Sequence, residues 1–219
     1  MLLKTDEVNE ALLASAPLRY PAWQLALKRT LDIAVSSIAL LVTSPLLVFI
    51  AILVRVTSPG PILFRWHVVG KGGKPFLGYK FRSMCNGADK ARDDLRQQNE
   101  MSGVFFKMKN DPRVTPVGRV LRRFSLDELP QLWSVLRGQM SLVGPRPCQV
   151  FEYAQLSDWQ KQRTRVKPGL VSLWIVSGKS KDFDDMVRQD LYYACNCSLL
   201  LDLKILLRAV PYVFLGKNH

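Results

Sequence analysis

The chain has 219 residues, 48% of them hydrophobic, enough for one domain with a sizeable core and appended segments. Lys and Arg number 31 against 18 Asp and Glu, and a net charge of +13 implies an anionic partner: nucleic acid, anionic lipid or a phosphorylated substrate. Two histidines, His67 and His219, argue against a His-based triad or a His-rich metal site. Cys85, Cys148, Cys195 and Cys197 lack zinc-site spacing and read as reduced cytosolic thiols.

Residues 1–23 mix charges and prolines without a period and read as a leader rather than a targeting peptide. From Ile33 to Val54 no charged residue occurs. About 22 helical residues span roughly 33 Å, enough to cross a bilayer core. Ser44-Pro45 falls in the middle, where proline removes a helix hydrogen bond and kinks the chain. Both flanks are basic, with Lys28 and Arg29 before and Arg55, Arg65, Lys71 and Lys74 after, so both belong on the cytoplasmic side. A helix over 24–57 that bends at Ser44-Pro45 and returns to the same face satisfies both flanks. The Ser44 hydroxyl could then bond a carbonyl freed by the kink. A straight span is the alternative. Asp32, one turn after Lys28 and Arg29, is placed either to pair with them at the membrane edge or to stand there as an unpaired interfacial Asp.

Ser58-Pro59-Gly60-Pro61 stops the helix. Ile62 to Val69, a turn over Gly70 to Lys74, and Phe76 to Phe81 predict a small β-hairpin. Lys80-Phe81-Arg82 ends it as either a phosphate clamp or an ordinary amphipathic strand end. Asn86 to Met101 is strongly charged and predicts a solvent-facing helix. Asp111 to Thr115 is a turn that leads, through Pro116, into a helix over Val117 to Arg123.

Arg119 to Pro147 is the centre of the chain. Ser125 and Glu128 have the spacing of a capping box. Leu129, Leu132, Trp133 and Leu136 then recur at helical spacing, and Gly138 ends the run. The adjacent acids Asp127 and Glu128 would thus lie at a helix N-terminus, which favours anions. Arg119, Arg122, Arg123 and Arg146 crowd that end. The pair is either an ionised nucleophile or metal ligand amid phosphate clamps, or a capped helix with solvated salt bridges. Pro145 and Pro147 hold Arg146 in an extended setting, as a fork for phosphate or carboxylate or as a surface turn.

Tyr153 to Arg165 and Asp184 to Cys195 predict helices, and Leu170 to Val176 a short apolar strand or loop. Leu199 to Phe214 is an apolar helix barred from spanning by Asp202, Lys204, Arg208 and Pro211; it fits either the membrane interface or the core. No Walker or dinucleotide-type glycine loop is present, so any phosphates must be bound by arginines and a helix end.

Several ordered motifs together resemble a known family. They are Lys28-Arg29 with Asp32, Ser44-Pro45, Ser58-Pro59-Gly60-Pro61, Lys80-Phe81-Arg82-Ser83-Met84 and Asp111-Pro112-Arg113-Val114-Thr115. Ser125-Leu126-Asp127-Glu128-Leu129-Pro130-Gln131, Met140 to Pro147 and Lys167-Pro168-Gly169 follow. From about Leu27 to near its end, the chain resembles the monotopic bacterial polyprenyl-phosphate phosphoglycosyl transferases, the bacterial sugar transferase family.

The resemblance implies transfer of a sugar-1-phosphate from a UDP-sugar to polyprenyl phosphate, with UMP released. Asp127 would be the nucleophile and Glu128 the Mg²⁺ ligand. Lys80, Arg82, Arg113, Arg119 and Arg146 would bind substrate phosphates. The implied partners are the UDP-sugar, the polyprenyl phosphate and membrane lipids, with a homodimer allowed and no nucleic acid. The implied place is the cytoplasmic face of a bacterial inner membrane. The expected fold is α+β and mainly helical: leader 1–23, a re-entrant membrane helix over 24–57, and a cytosolic catalytic domain over 58–219 with a small β-hairpin and interfacial helices.

The chain departs from the family pattern in places. The first hairpin usually carries Gln-x-Arg-Val-Gly, and here reads Trp66-His67-Val68-Val69-Gly70. Thr-Gly-x-Trp-Gln is replaced by Val171-Ser172-Leu173-Trp174-Ile175, and a usual Trp by Cys197. These departures bear on substrate recognition, and a membrane-tethered relative that binds without turnover is the alternative function. A nucleic-acid binder is suggested only by the charge, and no nucleic-acid module is recognisable.

Overall fold

A computed structural model describes residues 21–88, 91 and 94–214; of residues 213 and 214 it describes the backbone alone. The expected leader lies, up to residue 20, outside the described residues.

Helix α1, Ala22–Thr57, runs unbroken through Pro45 for 36 residues, about 54 Å at the usual helical rise. Pro45 has no N–H for the Leu41 carbonyl, and the Ser44 hydroxyl donates to that carbonyl at 2.7 Å. Thr43 does the same to Ala39 at 2.6 Å. The expected bond from the Ser44 hydroxyl to the carbonyl freed by Pro45 is present, within a helix that continues through the proline.

Both ends of α1 are fastened to the same folded body. At the first end, Arg29 donates two 2.6 Å bonds to the carbonyls of Val135 and Leu136. These carbonyls lie at the C-terminal end of a short helix, α3, Gln131–Leu136, where regular intrahelical partners run out. Lys28 pairs with Asp202 at 2.6 Å and donates to the Val143 carbonyl. Asp32, buried, accepts from the Leu142 N–H and the Ser141 hydroxyl. The expected pairing of Asp32 with its helical neighbours is thus corrected: both cations bond partners far away in sequence, and Asp32 is taken up by Ser141 and Leu142 instead. At the other end, Ile50 and Val54 pack on Phe81 and Leu121. Arg82 donates to the carbonyls of Val54, Ser58 and Pro59. Between the anchors, Leu41 and Val42 stand 75% and 71% exposed.

The hairpin forms as expected. Strands β1, Leu63–Val69, and β2, Pro75–Phe81, pair antiparallel from Leu63 opposite Phe81 to Val69 opposite Pro75. The turn holds Gly72 and Gly73 at positive φ. The far edge of β1 pairs with β4, Cys148–Gln149. Helix α2, Pro116–Arg123, starts on Thr115, whose hydroxyl caps the Gly118 N–H at 2.9 Å. The charged stretch 86–101 forms no α-helix among its described residues, only turns and a 3-10 turn at Arg96–Gln98. Charge without an apolar face gives such a stretch nothing to dock.

Strand β3, Ser141–Val143, runs parallel to β5, Gly169–Val171. The helix expected over 153–165 is broken into α4, Val150–Ala154, α5, Asp158–Lys161, and a 3-10 turn, Gln162–Arg165. Ser157 opens the second piece with its own capping box to Gln160. Helices α6, Leu173–Val176, α7, Phe183–Asn196, and α8, Leu199–Phe214, complete the described elements. Helix α7 lies between two clusters: Leu191 packs with Phe105, Leu156 and Met186, and Tyr193 with Val135, Met140 and Ile205. Helix α8 has one buried face, as the core alternative expects, and one exposed apolar face. Ile205 and Ala209 are core, while Leu200, Leu203, Leu207 and Val210 form an exposed apolar stripe.

Candidate active site

Asp127 and Glu128 sit in a 3-10 turn, Leu126–Glu128, between α2 and α3. Ser125 does not cap it. Its backbone is left-handed, φ 55 and ψ 22, and its side chain makes no capping bond there. The capping-box reading is corrected: the helix has Pro130 as its N-cap and begins at Gln131, three residues beyond Glu128. A non-glycine residue in this conformation costs on the order of 1 kcal/mol, the kind of strain that collects at functional sites. The reversal at Ser125 aims the two acids back toward the hairpin.

Glu128 meets Lys80 at 2.9 Å, and the same ammonium lies 4.2 Å from the centre of the Trp66 ring. Burial acts to raise the Glu128 pKa, but Lys80, Arg146 and Lys179 outweigh it and hold the carboxyl below its ordinary value. Asp127 is only 8% exposed. Burial first, and then the Glu128 charge, push it up to about 6 against the pull of Lys80 and Arg122. The two neighbours are therefore driven apart, one firmly ionised and one a stronger base.

A small cleft opens beside Glu128. Lys80, Gln131, Arg146 and Ser172 supply its polar wall, Trp66, Leu170 and Ile175 its apolar one. The Trp66 Nε1–H and the Gln131 Oε1 are buried without a hydrogen-bond partner. Two of the residues that depart from the family pattern, Trp66 and Ile175, thus face the same space. The Arg146 guanidinium lies 5.5 Å from the Trp174 ring, with Lys107 at 5.8 Å from the same ring. Burial, then Lys107 and Arg146, depress the Lys179 pKa to about 8. Cations this close to one another mark a place shaped for a polyanion.

The structure thus brings together Asp127, Glu128, Lys80 and Arg146. It does not bring Arg82, Arg113 or Arg119 to them. Arg82 is spent on carbonyls at the end of α1. Arg113 forks Asp111 through 2.9 and 2.7 Å bonds and donates to the Ala88 carbonyl. Arg119 is on the exposed face of α2. Arg122 takes its place: it shares the inward face with Gly118 and Leu121, and its Nε bonds the Ser83 hydroxyl at 2.9 Å. The amphipathic pattern of α2 carried that signal, since residues 118, 121 and 122 share one face. Lys107 and Lys179 come from loops far along the chain, and nothing local in sequence marked them.

Among the described residues no group of three acids, histidines or cysteines could hold a metal alone. One carboxylate such as Glu128 beside a substrate diphosphate is still a donor set that suits Mg²⁺, which is usually held by one or two carboxylates plus phosphate oxygens.

The bacterial sugar transferase family matches residues 23–216. The chain belongs to that family. It is 41% identical over 192 residues to the undecaprenyl-phosphate galactose phosphotransferase of Salmonella typhimurium, covering 85% of this chain and 40% of that one. It is 39% identical over 222 residues to the UDP-glucose:undecaprenyl-phosphate glucose-1-phosphate transferase of Klebsiella pneumoniae, covering 98% and 46%. The exopolysaccharide production protein ExoY of Rhizobium meliloti is 38% identical over 196 residues, 87% of each chain. The chain thus spans less than half the length of the first two relatives and most of the third.

Proposed function

We propose that this sugar transferase moves a sugar-1-phosphate from a UDP-sugar to undecaprenyl phosphate through a covalent intermediate on Asp127. The observation that carries the reading is geometric: a buried Asp127 beside Glu128, whose carboxylate meets Lys80 at 2.9 Å, with Arg146 lining the same cleft as Glu128 and Lys80. The names of the relatives, which specify undecaprenyl phosphate and, in one case, UDP-glucose, support it.

In the first step an Asp127 oxygen attacks the donor's β-phosphorus. An O–P bond forms as the bond from that phosphorus to the bridging oxygen breaks, and UMP leaves with the electron pair. In the second, an undecaprenyl phosphate oxygen attacks the same phosphorus and expels the carboxylate. Arg146 and Lys80 bind and orient the diphosphate, and Arg122 steadies the Asp127 charge. Mg²⁺, held by Glu128 and the diphosphate, would supply further neutralisation of the departing charge. Arg146→Lys is expected to lower kcat/KM at least tenfold, because lysine keeps the charge but not the planar fork. Steady-state UMP release across donor concentrations measures it.

The lipid acceptor requires access to a membrane. The reading places α1 as a re-entrant helix on the cytoplasmic face, because both of its ends are fastened to one body while its middle stays apolar and exposed. The exposed stripe of α8 would lie in the same interface. In a Cys85→Ser background, cysteines at Thr30 and Lys71 are expected to react with a membrane-impermeant maleimide only from the cytoplasmic side. Labelling from opposite sides would sink the re-entrant arrangement.

A second reading is favoured by Trp66 and Ile175 at the cleft: a membrane-tethered relative that binds without turnover. A panel of UDP-sugars, assayed for UMP release with and without undecaprenyl phosphate, separates the two. Turnover with any donor supports the transferase; binding with no release from any of them supports the tether.

A further inference from the structure

Arg146 reaches the cleft from a segment with few bonds of its own. Pro145 and Pro147 flank it, and neither offers an N–H. Behind it lies a fully buried ion pair. Arg163, in the 3-10 turn before β5, meets Asp190 of α7 at 2.5 Å, and each side chain is 1% exposed. Such a pair is a poor stability device, because desolvation consumes most of the Coulomb gain. Its remaining interactions are more telling. The same Arg163 Nη2 donates to the Arg146 carbonyl at 2.8 Å. Burial raises the Asp190 pKa to about 6, and Arg163 leads the groups opposing the rise. Asp190 thus holds the Arg163 guanidinium, and Arg163 in turn holds the Arg146 backbone by its carbonyl. The Arg163 guanidinium is itself held 5.5 Å from the Phe105 ring. Neither Arg163 nor Asp190 lines the cleft, so neither is placed to touch substrate.

We propose that Arg163 and Asp190 are positioning residues: they clamp the Arg146 backbone and thereby aim the guanidinium at the donor's diphosphate. This rests on the reading of Arg146 as a phosphate ligand. A clamp of this kind fits a segment whose prolines limit its own hydrogen bonding. It also gives a reason for retaining a costly buried pair whose two charges could together be replaced by hydrocarbon.

The test is the full-length double variant Arg163→Met with Asp190→Leu, which removes both charges and leaves none orphaned. It is expected to melt no lower than wild type. Its kcat is expected to fall ten- to a hundredfold, and its affinity for inorganic pyrophosphate, by calorimetry, about tenfold. In an Arg146→Ala background the same double change is expected to cost under twofold, because the pair acts through a group already removed. Wild-type kcat and pyrophosphate affinity in the folded double variant would overturn the proposal, as would an undiminished loss in the Arg146→Ala background. If the double variant fails to fold, Asp190→Asn, which keeps the shape, is read on the same two measurements. A wild type that binds pyrophosphate through Arg146 yet releases no UMP would end the transfer reading while the pyrophosphate arm still judges the clamp. A wild type that binds no pyrophosphate overturns the clamp itself.

Discussion

The Asp127→Asn protein is expected to form no sugar-phosphate adduct and to release no UMP, with turnover down at least a thousandfold. Carboxamide oxygen carries no full charge and is a poor nucleophile toward phosphorus. The wild type, given donor and Mg²⁺ but no lipid, is expected to gain the mass of one sugar-phosphate on the tryptic peptide holding Asp127, with one equivalent of UMP. The rate of that burst is expected to climb with pH through about 6 and level above it, because the attacking carboxylate must be ionised. The stability consequence has the opposite sign. The folded pKa of about 6 exceeds the ordinary 3.8, so the native state holds this proton more tightly. Stability from this group is present at low pH and lost as pH rises through that window. Removing the charge relieves the cost, so Asp127→Asn is expected to melt at or above the wild-type temperature at pH 7. Inactivity without unfolding is then the signature of a chemical role. A direct ternary mechanism, with lipid phosphate attacking the donor, predicts no UMP until lipid is added. An active donor that gives neither adduct nor lipid-independent UMP would decide for it.

The sequence carried the parts of this site that are local. Glycines between two alternating strands announced the hairpin, and with it Lys80. Thr115-Pro116 announced the start of α2. Asp127-Glu128 stood out as paired acids among arginines and Arg146 as a charge held between two prolines, and the structure brings Glu128 and Arg146 to one cleft. What failed was spacing read without the chain's direction. Ser125 and Glu128 satisfy a capping-box pattern, but a left-handed Ser125 and a helix beginning after Pro130 overrule it. Long-range choices were also illegible. Lys28 selects Asp202, 174 positions away, over Asp32. Arg82 and Arg113 find carbonyls and Asp111 because a buried guanidinium needs several acceptors at once. The pair Arg163–Asp190, 27 positions apart on separate elements, leaves no periodic trace in the sequence.

Gly169→Ala is expected to lower the melting temperature by roughly 6–12 °C, on the order of 3 kcal/mol for a chain of this size, and to reduce kcat per folded molecule as well. A Cβ at Gly169 would stand 2.0 Å from the Gly144 nitrogen and 2.6 Å from the Gly144 Cα. These are backbone atoms, and no rotamer change can clear them. The clash falls where β5 pairs with β3, and three backbone bonds flank that pairing. They run from the Ser141 N–H to Pro168, from the Gly144 N–H to Val171, and from the Gly169 N–H to Pro145. Relief requires the two strands to separate, and the chain leaving β3 passes within two residues to Arg146. Stability and the placement of the phosphate ligand are therefore lost together. Gly72→Ala is the control. Gly72 sits at φ +69 with nothing near its missing Cβ, so the change costs about 1 kcal/mol of conformational strain and leaves kcat at the wild-type value. Melting curves and UMP release on the two purified variants make the comparison. A Gly169→Ala protein as stable and as fast as Gly72→Ala would mean that the approach of β3 to β5 does not fix Arg146.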